Sequence, residues 1–247
     1  MSGIRLWLTV LALTLAAPLA RANEPVDLLL VLAADVSRSV DSAKFQLQRE
    51  GYAAAISDRR VLEAITSGYH RRIAVCFVEW SGVGAQELVI DWTVIGDEVS
   101  ARKFGDQLLE LRRSFAERTS ISGGIDYAIK QFDRAPFRSA RRTIDISGDG
   151  TNNSGREVTA ARDAALAQGV TINGLVILSD RPLTWNPEHT HPPGGLVEYF
   201  RNNVIGGPGA FVVAADNFEA FGQAIIKKLI AEIAQASEPP EPVRPPG

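Results

Sequence analysis

Residues 26–34, VDLLLVLAA, form an apolar run that breaks off into DVSRSVDS. A strand that is apolar at successive positions has to be covered on both faces. That places it in the middle of a parallel sheet with helices on either side. The rest of the chain repeats the theme, with apolar runs alternating with amphipathic segments. Strands are expected at 71–81, 86–95, 141–147, 170–179 and 209–216. The link SGVGA between the second and third strands is too short for a parallel crossover, so those two should pair as an antiparallel hairpin. Helices are expected at 44–56, 97–113, within 120–135, at 154–169, 196–205 and 217–236. The first carries Phe45, Tyr52 and Ile56 at helical spacing and is weakened by Gly51. The fourth should start on Ser154 as cap, with Glu157 completing a capping box, and should end before Gly169. Residues 180–195 are rich in proline and polar side chains and read as an irregular loop. The expected fold class is α/β: a doubly wound, mostly parallel six-stranded sheet with one antiparallel edge strand and helices on both faces.

With 247 residues, 45% of them hydrophobic and 22% charged, the chain can bury one sizeable core. A net charge of −3 gives no electrostatic footprint for nucleic acid, and the short arginine pairs read as solvated ends of elements. Residues 1–22 show an early Arg5, an apolar stretch and Ala20-Arg21-Ala22, the pattern of a secretory signal cleaved after Ala22. The expected organisation is a signal at 1–22, one domain at 23–236 and a flexible Pro-rich tail at 237–247. The mature chain is then exported, periplasmic or secreted, with no membrane span. The single cysteine, Cys76, lies in the apolar stretch IAVCFVEW and reads as a small buried hydrophobe.

In DVSRS, Asp35, Ser37 and Ser39 stand at alternate positions where the first strand ends. Asp149 follows the strand at 141–147, and Thr119 precedes a helix. Doubly wound sheets collect ligands at the carboxyl ends of strands, where the strand order reverses. If the strands before Asp35 and Asp149 are neighbours there, the two carboxylates face each other and Thr119 enters from the adjoining loop. Two carboxylates and three hydroxyls are hard oxygen donors. They suit Mg²⁺, with Ca²⁺ or Mn²⁺ as alternatives. Asp145, inside its strand, should point away from this group.

DVSRS resembles the D-x-S-x-S signature of von Willebrand factor type A domains, which carry a metal-ion-dependent adhesion site. RTSISGGI is similar to the threonine element of that site and DISGDG to its aspartate element, with SGDG where many relatives have TDG. The resemblance covers residues 27–236 and extends to an uncharacterised bacterial group of exported proteins of this type. It implies a metal held by Asp35, Ser37, Ser39, Thr119 and Asp149. The hydroxyls would touch the ion directly, and a protein partner would supply an Asp or Glu as the remaining ligand. The reading is of a non-enzymatic binding module.

Competing readings are a metal-dependent hydrolase using the same cation, and helix capping by Asp35 and Asp149 with no metal at all. Asp41 and Ser42 are better placed for the cap. No G-x-S-x-G elbow or phosphate-binding glycine loop is present. Ser120 and Ser122 are expected to bond within their loop, and Asn152 and Asn153 to lead into the next helix. The stretch EHTH at 188–191 has two histidines and a glutamate close together and could bind a transition metal, yet with no further ligand in view it reads as loop decoration or partner contact.

Overall fold

The computed structural model describes residues 24–236. The expected signal at 1–22 and the tail at 237–247 lie outside these residues. In chain order the elements are β1 (Glu24–Pro25), β2 (Leu29–Asp35), α1 (Ser42–Ile56), α2 (Arg59–Ser67), β3 (Ile73–Trp80) and β4 (Gln86–Ile95). There follow α3 (Glu98–Glu110), α4 (Ile121–Arg134), β5 (Phe137–Arg138), β6 (Arg142–Gly148), α5 (Val158–Ala167) and β7 (Val170–Ile177). The chain continues through α6 (Pro187–Thr190), α7 (Leu196–Tyr199), a π turn (Phe200–Val204), β8 (Val212–Ala215) and α8 (Phe221–Ala236).

Six strands form one sheet in the order β4-β3-β2-β6-β7-β8, and only the β3–β4 pair is antiparallel. The expected doubly wound architecture with one antiparallel edge is therefore present. Strand β2 lies inside the sheet and is buried at every position. Its side chains alternate as the pleat requires. Leu30, Leu32 and Ala34 face the core made with α1, α2, α3 and α8, and Leu29, Val31 and Ala33 face the core made with α4, α5 and Phe200. Cys76 on β3 is fully buried, and burial pushes its thiol well above the usual range, which makes it inert.

Several local features depart from the periodicity reading. Helix α2 was not anticipated. It buries only Val61 and Ile65, so its apolar signal is two residues one turn apart, and its start depends on Asp58 accepting from the Arg60 amide at 2.8 Å. Strands β1 and β5, two residues each, pair in parallel outside the main sheet. Ser154 does not cap the helix that follows. Helix α5 begins at Val158 with Glu157 at its cap and no side-chain capping bond, while the Ser154 amide donates to Thr119 O at 3.1 Å. Gly169 does follow the helix at φ +70, as a C-terminal glycine should. The loop 180–195 contains the single-turn helix α6. Gly51 weakens α1 locally but serves packing: a Cβ there would lie 2.5 Å from the Phe221 ring, so α8 rests directly on the α1 backbone.

Asp145 does point away from the strand ends, into a fully buried ionic cluster. Lys228 on α8 stands 2.7 Å from Asp145 and also pairs with Glu232, and Asn173 Nδ2 donates to Glu232 at 2.8 Å. Burial, then the charge of Glu232, raises the Asp145 carboxyl to about 7. A value raised above its unfolded one, about 4, contributes stability at low pH that is lost as pH climbs through 7. Removing the cation leaves two buried carboxylates unopposed, which costs about 3–5 kcal/mol. Lys228→Met is therefore expected to lose stability in urea titrations by several kcal/mol at pH 8 and by clearly less at pH 5. An equal loss at both values would count against the ionic cluster as the cause.

Candidate metal centre

Strands β2 and β6 are parallel neighbours, with Ala34 opposite Ser147. From β2 the chain winds outward through β3 and β4 on one side, while β6, β7 and β8 lie on the other. The strand order thus reverses between β2 and β6, and both carboxyl ends open on the same crevice. Asp35 is the last residue of β2, and Asp149 follows β6 by one residue. Thr119 enters from the loop before α4. The Ser120 amide there donates to Ser81 O at 2.7 Å, just past the end of β3, and the Ser120 side chain caps α4 through Gly123 N.

Within the crevice Ser37 N donates to Asp35 Oδ1 at 2.7 Å. The hydroxyls of Ser37 and Ser39 are 3.1 Å apart, and Ser39 Oγ donates to Asp149 Oδ1 at 2.6 Å. Four of the five residues singled out in the sequence are therefore linked in one row. Thr119 joins through its backbone. Its amide donates to Asn153 Oδ1 at 3.0 Å, and its carbonyl accepts from Asn153 N at 2.9 Å. Its hydroxyl faces His189 Nε2 at 3.3 Å, and Thr119, Ser39, Asn153 and His189 line one cavity of about 300 Å³. Asp41 caps α1 as expected, accepting from the amides of Ala43 and Lys44, so Asp35 is free of that duty.

Asp35, Ser37, Thr119 and Asp149 are all at most 3% exposed. Burial, reinforced by the negative charge of Asp149, raises the Asp35 carboxyl to about 8, against the opposing bonds from Ser37 and the charge of Arg113. Asp35 Oδ2 is buried with no hydrogen-bond partner among the described residues. It lies against Gly148, where an added Cβ would stand 3.3 Å away. Lys44 offers partial compensation only, with Nζ 3.7 Å from Asp149 Oδ2 and donating to Ser39 O at 2.8 Å. Arg113 binds the carbonyls of Val36 and Ser37 and so holds the loop in shape. A buried oxygen without a donor, beside a second carboxylate, is an arrangement that a divalent cation completes. No three His, Cys, Asp or Glu side chains form a metal centre among the described residues, so the hydroxyls are indispensable to any such ion. The residues present fit a hard cation.

Other assignments are corrected. Asn152 and Asn153 do not lead into a helix. Asn152 Oδ1 accepts from Ser122 N at 3.1 Å and Asn153 Oδ1 from Thr119 N, so the pair ties the Asp149 loop to the Thr119 loop. His189 is not loop decoration: it is 2% exposed and packs beside Gly150. Burial lowers its ring below the usual histidine range, with the charge of Asp149 opposing, so the imidazole is neutral near pH 7. The signal was visible in EHTH, but nothing in sequence linked it to a loop some forty residues away. His191 is exposed, and the exposed side chains of Arg38, Glu117, Arg118 and Trp185 rim the cavity.

Comparison with known proteins agrees with this architecture. No curated protein is significantly similar to the chain in sequence. Among solved structures, the pilus adhesin SpaC of Lactobacillus rhamnosus GG superposes with a TM-score of 0.61 at 13% identity, over 87% of this chain and 31% of that one. A von Willebrand factor type A protein from Catenulispora acidiphila gives 0.57 at 14% identity, over 87% of this chain and 43% of that one. Proximal thread matrix protein 1 of the mussel byssus, with a zinc-occupied MIDAS motif, gives 0.58 at 13% identity, over 86% and 49%. The chain spans from 31% to 49% of the length of these structures and shares with them the von Willebrand factor type A fold. A family model matches residues 25–237, and the chain belongs to that family, described as a protein of unknown function, DUF1194.

Proposed function

We propose that this protein is an exported, non-enzymatic binding module. A divalent cation held by Asp35, Ser37, Ser39, Thr119 and Asp149 would accept a carboxylate from a protein partner. The observation that carries the reading is Asp35 Oδ2, buried and unpartnered beside the charge of Asp149. The all-oxygen set of those five residues suits Mg²⁺, with Ca²⁺ or Mn²⁺ as alternatives. When bound, the ion supplies a positive centre that a partner Asp or Glu completes far more strongly than a surface ion pair would. The chain's own residues do the rest. Ser39 and Lys44 orient Asp149, Arg113 shapes the Asp35 loop, and Asn153 holds Thr119 beside them. The adhesin fold of one structural neighbour and the zinc-occupied motif of another are in keeping with this reading. Export rests on the pattern of residues 1–22, and no described helix is long and apolar enough to cross a membrane.

Calorimetric titration of chelator-treated protein with Mg²⁺ is expected to show one site. Asp149→Ala and Asp35→Asn should each weaken it by about 100-fold, since each removes one of only two charged donors. Unchanged affinity in both variants would refute the assignment. Peptide selection on the loaded protein should enrich sequences with Asp or Glu that EDTA releases; enrichment of Asn or Gln equally well would argue against carboxylate capture.

A pH dependence follows from Asp35. Its folded value of about 8 exceeds the unfolded one, so its contribution to stability is full below about pH 4 and is lost as pH rises towards 8. In EDTA, melting temperature should fall between pH 5 and pH 8, and the stabilisation given by Mg²⁺ should grow over the same interval. Asp35→Asn should flatten both trends in scanning fluorimetry. Identical slopes in the variant would show that another group is responsible.

A further inference from the structure

The mouth of the crevice carries charge that neither the fold nor the oxygen donors use. We propose that Arg38 and Arg118, with the indole of Trp185 beside them, form a second contact for the partner. The partner is then an acidic segment with two carboxylates close together, one for the cation and one for the guanidinium pair. The inference rests on the metal-mediated capture put forward above and specifies the partner for it.

Three observations carry it. The first is position. Arg38 lies between Ser37 and Ser39, and Arg118 directly precedes Thr119. Ser37 and Thr119 are buried while both arginines are exposed, so these loops turn hydroxyls inward and guanidinium groups outward. The loops are fastened to each other. Arg38 N donates to Glu117 O at 3.0 Å, and Arg38 Nε donates to Ala116 O at 3.3 Å. Both arginines therefore stand at the mouth of the cavity that Ser39 and Thr119 also line.

The second is unspent charge. Lys44 is occupied by Ser39 O and Asp149, and Arg113 by the carbonyls of Val36 and Ser37. Arg38 engages one carbonyl through Nε alone, and the Arg118 side chain makes no hydrogen bond or ion pair among the described residues. Glu117 is the acid that lines the same cavity, but its stem lies over Gly82 and it pairs with neither arginine. A guanidinium presents five donors in a planar fork that matches a carboxylate. Here most of those donors are left to an outside oxyanion.

The third is Trp185, which lines the cavity and is 66% exposed, whereas Trp80 and Trp92 are buried. Tryptophan and arginine together are the residues that protein contact surfaces concentrate. The ring offers a platform for the partner backbone between its two acids. An extended peptide presents alternate side chains on one face, about 7 Å apart, so the second acid is expected within two positions of the first. An exposed ion pair changes an affinity by about fivefold at most. The arginines thus select among carboxylate partners and speed association, and the ion remains the main contact.

The test selects random peptides on Mg²⁺-loaded protein lacking residues 1–22, as wild type and as the double variant Arg38→Gln, Arg118→Gln. Wild type is expected to enrich EDTA-released peptides with a second Asp or Glu within two positions of the first. The double variant should still enrich the first acid and lose the preference for the second. In a selected peptide, changing the second acid to Gln should weaken binding to wild type by about fivefold at low salt, and by less than about twofold at high salt or in the variant. Bound peptide should also shield Trp185 from acrylamide quenching, which the buried Trp80 and Trp92 barely contribute to. Enrichment of single acids only, the same preference in the variant, or unchanged quenching would overturn the rim contact while leaving carboxylate capture standing. Heparin bound as tightly in EDTA as in Mg²⁺ would assign the arginines to polyanions in general and overturn it too. So would loss of Mg²⁺ binding in the variant, which would make the arginines part of the ion's own loops. Absence of any EDTA-released peptide from wild type would overturn both readings.

Discussion

Two carboxylates at the ends of adjacent parallel strands, both nearly inaccessible to water, govern the architecture of this molecule's upper rim. Burial, reinforced by the negative charge of Asp149 across the β2–β6 seam, pushes the Asp35 carboxyl up to about 8. Such a pair persists in a fold only if the surrounding structure leaves it no escape. Here β2 and β6 are paired over six residues and buried on both faces, so neither strand end can splay apart without exposing core. The apolar sheet therefore supplies the rigidity, and the strand ends store the electrostatic cost.

The loops around the seam are tied by specific polar contacts rather than by packing. Arg113 grips two carbonyls after Asp35, Asn152 and Asn153 lace the Asp149 loop to the start of α4, and the carbonyl of His189 fastens α6 to Thr151. Behind them, Arg49 and Glu79 form a fully desolvated pair that also binds Leu108 O and Ser114 N, which brings the 111–119 segment back over the crevice. The same face of the sheet carries a second ionic anchor, Lys228 with Asp145 and Glu232. It fixes the closing helix to β6, the strand that delivers Asp149. The two clusters thus share a strand while facing different helices.

Much of this was legible in the chain. The alternating oxygen row after β2, the hairpin forced by SGVGA and the succession of strands along the chain follow from local patterns, because a strand buried on both faces announces itself by continuous apolarity. The features that were not legible depend on partners distant in sequence. Helix α2 buries only Val61 and Ile65, too few residues to set a period. Ser154 looks like a helix cap because the rule for caps is local, but its amide is taken by Thr119 O. Asn152 and Asn153 look like loop residues because nothing nearby says that their side chains will reach across to another loop. His189 sits between prolines in a polar stretch, where composition speaks for surface.

The sequence by itself determined the α/β class, the six-strand pattern, the central position of β2 and the row of carboxylate and hydroxyl side chains at the strand ends, since periodicity and strand-end chemistry act over a few residues. Only the tertiary structure decided that β6 rather than another strand lies against β2. It alone brought the imidazole of residue 189 onto Gly150 and left one oxygen of Asp35 without a donor. These outcomes depend on burial and on contacts between loops tens of residues apart, and neither is encoded in any local stretch of chain.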